Sequence, residues 1–242
     1  MRARLLKTMC LIISISISCL ALYAQNVSVE LSQWYSENPK AESYREVRSQ
    51  LEDIFAKAKV NQIPPELVLE VLHEGAAKNV SPARLAAGAD KKLAELVVFQ
   101  EMLASFPSSF KAFGPGEEKN ALFLKTLYLL AKRGMPMAIL RSLYAFACEN
   151  RTDAEILLSV FRGLGHIHVL ELIPGKKLDE LGRVLLASKL PVSTYLSLGS
   201  VFVKGNLGDI PISEITSIII EAVRDGKGLI RIDQELNRRG RR

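Results

Sequence analysis

Histidine, cysteine and tryptophan are scarce in this chain, which has three, three and one of them among 242 residues. A metalloprotease helix needs two histidines one turn apart with a glutamate between them. His73 and Glu74 begin such a pattern, but Ala77 stands where the second histidine belongs. His166 and His168 are two apart, a spacing that aims both side chains together on a strand but on different faces of a helix. Only His73 and Cys148 remain to complete a shell, so neither a metal nor a cofactor is expected.

Nucleotide and nucleophile motifs are missing as well. "GLGHIH" at 163–168 opens like a dinucleotide loop but lacks the third glycine and a preceding strand. There is no G-x-x-x-x-G-K, no G-x-S-x-G and no calcium loop. Glu66, Glu70 and Glu74 form an i, i+4 stripe that reads as a solvated helix face rather than half of a carboxylate site. Cys148 reads as a small buried apolar residue, because a nucleophile would need a base beside it. No catalytic residue is assigned.

Long apolar runs and strict alternation are the next absences. The zone 121–149 is cut by Lys125, Lys132, Arg133 and Arg141, and 190–203 is uncharged but short and broken by Pro191. Both are core helices on this reading rather than membrane spans. Without alternation almost no sheet is expected.

What is present begins with an export signal. Arg2, Arg4 and Lys7 precede an apolar stretch from Met9 to Leu22, and the small residue Ala24 follows. This order predicts a signal peptide over 1–24 with cleavage before Gln25. The rival expectations are an uncleaved anchor and acylation of Cys19, the two routes by which the protein would associate with a membrane. Cleavage removes Arg2, Arg4 and Lys7 and no acidic residue, lowering the net charge from +6 to +3. Cys148 would then be the sole cysteine, so the mature chain would rely on its core, for which 48% hydrophobic residues are available. The residual basicity lies partly in "RRGRR" at 238–242, a solvated tail; an exported chain is not expected to bind nucleic acid.

Residues 25–40 show no period and read as an irregular segment, with one helical domain following over 41–237. Val47, Leu51, Ile54, Phe55 and Ala58 mark its first amphipathic helix. "EGAAKNVSPARL", 74–85, reads as a corner: Asn79 ends one helix in the left-handed region, Ser81 caps the next, and Pro82 is its first residue. Val80 and Leu85 staple the entry. Pro136 and Pro191 offer further copies of this corner 54 and 55 residues on, with a break expected near Gly163 and Gly165 midway between them. Even spacing suggests a repeat of about 27 residues. Thr152 with Glu155 reads as a capping box, and Ser213 as the cap of a helix that Gly226 ends.

The expected fold is therefore all-α: about ten helices in consecutive antiparallel hairpins, forming a bundle or a short α-solenoid. The function expected is that of an exported, non-catalytic protein in the periplasm or secreted, acting on an unknown protein or envelope component. Two alternatives stand beside it. An envelope hydrolase would gather Glu and His from distant helices into a cleft, and a lipid or small-molecule carrier would enclose an apolar cavity between 121–146 and 190–203. Lys78, Lys132, Arg133 and Lys189 all precede corners and form a candidate interaction edge for an acidic partner or an anionic envelope polymer. Cations also favour helix C-termini through the macrodipole, which by itself would place them there.

Overall fold

A computed structural model describes residues 28–106, 118–169, 173, 175–188 and 190–239, which form twelve α-helices, one 3₁₀ segment and no strand. The protein is all-α, as expected. Residues 1–24, where the export signal is expected, lie outside the described residues.

The chain divides into two compact units, Met1–Val97 and Val98–Arg242. The first carries α1 (Val29–Glu37), the 3₁₀ segment (Ala41–Val47), α2 (Arg48–Val60), α3 (Pro65–Ala77) and most of α4 (Pro82–Ala104). The second continues with α5 (Glu118–Lys132), α6 (Met137–Glu149), α7 (Ala154–Val169), α8 (Gly175–Ala187), α9 (Val192–Leu196), α10 (Leu198–Leu207), α11 (Ile212–Arg224) and α12 (Leu229–Arg239).

Helix α1 corrects the irregular reading of 25–40. Ser28 caps it by accepting the Leu31 N–H at 3.3 Å, and Leu31 and Trp34, three apart, are both buried. Trp34 meets Tyr35 edge-on at 5.0 Å between ring centroids, and Tyr44 at 6.0 Å. Helix α1 packs on α2, α3 and the 3₁₀ segment. A nine-residue helix of this kind is held by two buried side chains, too few to set a visible period.

One local device closes six of the twelve α-helices. Gln62, Asn79, Gly134, Arg151, Asp209 and Gly226 all have positive φ. The N–H of the residue after each returns to the carbonyl five positions back: Ile63 to Ala58 at 2.8 Å, Val80 to Gly75 at 3.1 Å, Met135 to Leu130 at 3.0 Å, Thr152 to Ala147 at 2.9 Å, Ile210 to Gly205 at 3.2 Å and Lys227 to Ala222 at 2.8 Å. This is the Schellman closure, and it satisfies carbonyls the helix end would otherwise leave open.

The six corners fall in pairs 17 residues apart: Gln62 with Asn79, Gly134 with Arg151, and Asp209 with Gly226. Each pair encloses a helix of 13 residues, α3, α6 or α11. Each enclosed helix is entered through a buried aliphatic or methionine followed by proline: Ile63-Pro64, Met135-Pro136 and Ile210-Pro211. Pro136 is therefore equivalent to Pro64 and Pro211 and shares its N-cap position with Pro191 but not with Pro82, so the 27-residue period is not what recurs. Pro82 is a first helical residue, as expected, whereas Pro136 and Pro191 stand one position earlier, at the N-cap.

Two expected caps are also corrected. Thr152 Oγ1 is buried without a hydrogen bond, and Asp153 caps α7, its Oδ1 accepting from the Glu155 N–H at 2.8 Å and the Ile156 N–H at 3.4 Å. Helix α7 starts at Ala154, which makes Asp153, not Thr152, the residue at the cap position. Helix α11 starts at Ile212 behind Pro211, which puts Ser213 inside the first turn.

Within the second unit, alternate helices stack: α5 on α7, α6 on α8, α7 on α9 and α10, α8 on α11, and α10 on α12. Neighbours in sequence also pack, α7 with α8, α10 with α11, and α11 with α12. Helix α7 lies at the centre and runs unbroken through Gly163 and Gly165, where a break was expected. These glycines are contact points. A Cβ at Gly163 would strike the Tyr195 carbonyl oxygen, and one at Gly165 would strike Leu130. Phe123 and Phe161 meet across α5 and α7 at 5.7 Å between ring centroids.

Candidate functional site

Stacking buries most of α7 and about half of α10 and leaves each an outward face. On α7 the stripe is Glu155, Arg162, His166 and Val169; on α10 it is Ser200, Val203 and Leu207, with Leu196 one turn before. At the ends of these stripes the second unit has a groove of about 610 Å³. Its floor is apolar, formed by Val169, Gly199, Val203 and Leu207, and its polar lining is Arg133, His166, Ser200 and Lys204.

Gly199 sets the depth. A Cβ there would lie 3.0 Å from the His166 Cβ, so the imidazole rests on bare backbone. Lys204 donates to Asp233 at 2.6 Å, which offsets its charge. Arg133 follows α5 and precedes the Gly134 corner, and among the described residues it forms no ion pair. Three floor residues are open to solvent, Val169 at 48%, Val203 at 42% and Leu207 at 80%.

The first unit has a groove of its own, about 640 Å³, between α1 and α3. It gathers Glu30, Glu37 and His73 around Trp34 and Leu69, the type of gathering an envelope hydrolase would show. Glu30 accepts from Ser28 at 2.5 Å and Glu37 from Gln33 at 2.8 Å. Lys40 is committed to the end of α3, donating to the Ala76 carbonyl at 3.1 Å and to Asn79 Oδ1 at 2.7 Å. No serine, threonine or cysteine lines this groove, so it offers carboxylates and an imidazole without a hydroxyl or thiol.

The candidate edge is distributed among different contacts. Lys78 pairs with Glu74 on its own helix in the first unit. In the second unit Lys132 lies over the Tyr128 ring at 5.5 Å, and Arg133 enters the groove. Lys189 lies outside the described residues. The acidic stripe of α3 is likewise used in pairs, Glu70 with the nearly buried Lys92 at 2.9 Å and Glu74 with Lys78. Among the described residues no three metal-ligating side chains converge, and no helix is long and apolar enough to cross a membrane. Cys148 is half-buried, and burial, helped by the Glu149 charge, pushes its thiol up to about 11.

Sequence reading missed Val169, Val203 and Leu207 because an almost uncharged helix reads as core on every face. The available signal was excess: a helix apolar around its whole circumference has more apolar surface than a two-layer stack can bury. No protein-family model, curated protein or solved structure matches the chain.

Proposed function

We propose that the protein is an exported, non-catalytic binding protein that docks a partner of the cell envelope through the groove of its second unit. The observation that carries this reading is the open, apolar-floored groove. A patch of adjacent aliphatic side chains left in water costs free energy unless a partner covers it. The carrier alternative fares worse, because a groove whose floor is half open cannot withdraw a lipid chain from solvent. The hydrolase alternative rests on the Glu30, Glu37 and His73 groove, where both carboxylates are already held by hydrogen bonds from Ser28 and Gln33. Stacked helix pairs commonly present a side of this kind to extended partners. Export rests on the basic, apolar and small-residue order of residues 1–24.

The test is recovery of the protein with its partners from its own envelope, as wild type and as Val203→Asp/Leu207→Asp. The reading expects at least one partner retained by the wild type and lost by the variant at unchanged melting temperature. Identical partners for both proteins, or turnover of an envelope substrate by the wild type, would overturn it.

A further inference from the structure

The groove also specifies its partner. Resting on the docking reading, we propose that it takes a protein segment in which aliphatic side chains are flanked by carboxylates. Three observations converge. The floor exposes Val169, Val203 and Leu207 side by side, which calls for aliphatic anchors rather than a polyanionic chain that would use charge alone. The lining contains no carboxylate, and its cation Arg133 has no ion-pair partner. Arg162, one turn before His166 on the same stripe, also makes no ion pair, so uncompensated positive charge continues beside the apolar floor.

The other layer of the unit provides the contrast. There, Asp179 accepts from Ser142 at 2.7 Å and from Arg183 at 2.9 Å, and Glu180 accepts from Lys177 at 2.8 Å and Arg224 at 3.4 Å. On that layer Lys177 and Arg183 pair within α8 and Arg224 pairs across to it, and in the groove Lys204 is paired with Asp233, whereas Arg133 and Arg162 have no ion-pair partner among the described residues. Carboxylates docking beside Arg133 would accelerate encounter and reject basic segments, while the apolar floor would hold the complex.

Three probes test the proposal against the full mature protein by fluorescence anisotropy: an amphipathic Leu/Glu peptide, its Leu/Lys counterpart, and vesicles of phosphatidylglycerol with phosphatidylcholine. The Leu/Glu peptide is expected to bind at least about tenfold tighter than the Leu/Lys peptide, and to weaken as salt is raised. Arg133→Glu should lower that affinity about tenfold, and Val203→Asp/Leu207→Asp should abolish it, each with an unchanged circular-dichroism melt. Leu/Lys binding of equal strength that Val203→Asp/Leu207→Asp still removes would overturn the acidic specificity while keeping the docking groove. Failure of every peptide would overturn both. Binding to vesicles without peptide binding would assign the groove to a membrane surface and also overturn the proposal.

Discussion

Gly163 and Cys148 show how far a single residue determines what surrounds it. Because a Cβ at Gly163 would run into the Tyr195 backbone, whereas one at Gly182 would meet only the ends of Leu143 and Leu164 at 2.6 to 2.9 Å, the two glycines should differ in tolerance. Gly182→Ala is expected to cost about 1–3 kcal/mol through overpacking, less the ~0.5–1 kcal/mol that alanine returns in helix propensity. Gly163→Ala should cost more, since a carbonyl cannot rotate aside. Thermal melts of both variants check the order. Cys148 makes a chemical prediction. With its thiol pKa raised from 9.0 to about 11, the protonated form persists at pH 8, and the reactive thiolate becomes abundant only as pH rises toward 11. Maleimide labelling of a Cys10→Ser/Cys19→Ser background should therefore be much slower at pH 8 than that of free cysteine, with its rate rising toward pH 11. Cys148 reads in the sequence as a buried small side chain, and the structure leaves it half-buried. Gly163 was not, because a glycine reads locally as a breaker, and only a second helix crossing over it shows why no side chain fits.

At the scale of elements, the corner was legible and its periodicity was not. Asn79, Gly134 and Gly226 read directly as helix stops, since glycine and asparagine tolerate the left-handed region. Gln62, Arg151 and Asp209 occupy the same conformation without the usual residue types. Asn61 and Gln62 read only as an interruption, the Arg151 and Asp209 corners were hidden, and prolines of different roles were aligned. The Thr152 cap failed because the Arg151 corner shifts the start of α7 to Ala154, leaving Asp153 to cap it. The corner account makes a paired prediction. Leu130 is buried and its carbonyl receives the Met135 N–H, so Leu130→Pro should cost about 3 kcal/mol or more. Pro136 contributes no N–H and no side-chain cap, and Pro136→Ala should change stability by about 1 kcal/mol or less. Urea unfolding of both variants decides it, and equal losses would mean that α6 does not begin behind Pro136.

The whole molecule joins a helical first unit and a groove-bearing second unit, with an export signal proposed over 1–24. If 1–24 is a signal peptide, the intact mass of the exported protein should correspond to a chain beginning at Gln25. A mass including Met1, or an acylated chain beginning at Cys19, would instead tie the protein to a membrane. Fold class was readable from amphipathic spacing and helix stops. The groove was not, because it is made by side chains brought from α5, α7 and α10, each of which reads as core alone. The poverty of catalytic motifs turned the reading toward binding, and the exposed apolar floor beside Arg133 gave that reading a location. The most direct measurement is site-specific photo-crosslinking in intact cells, with the photoreactive residue at Val203 in the groove or at Glu221, an exposed position of α11 outside it. The account predicts a discrete adduct from position 203, mapping to an acidic, aliphatic segment of one partner, and none from position 221. Equal adducts from both positions, or none from 203, would contradict it.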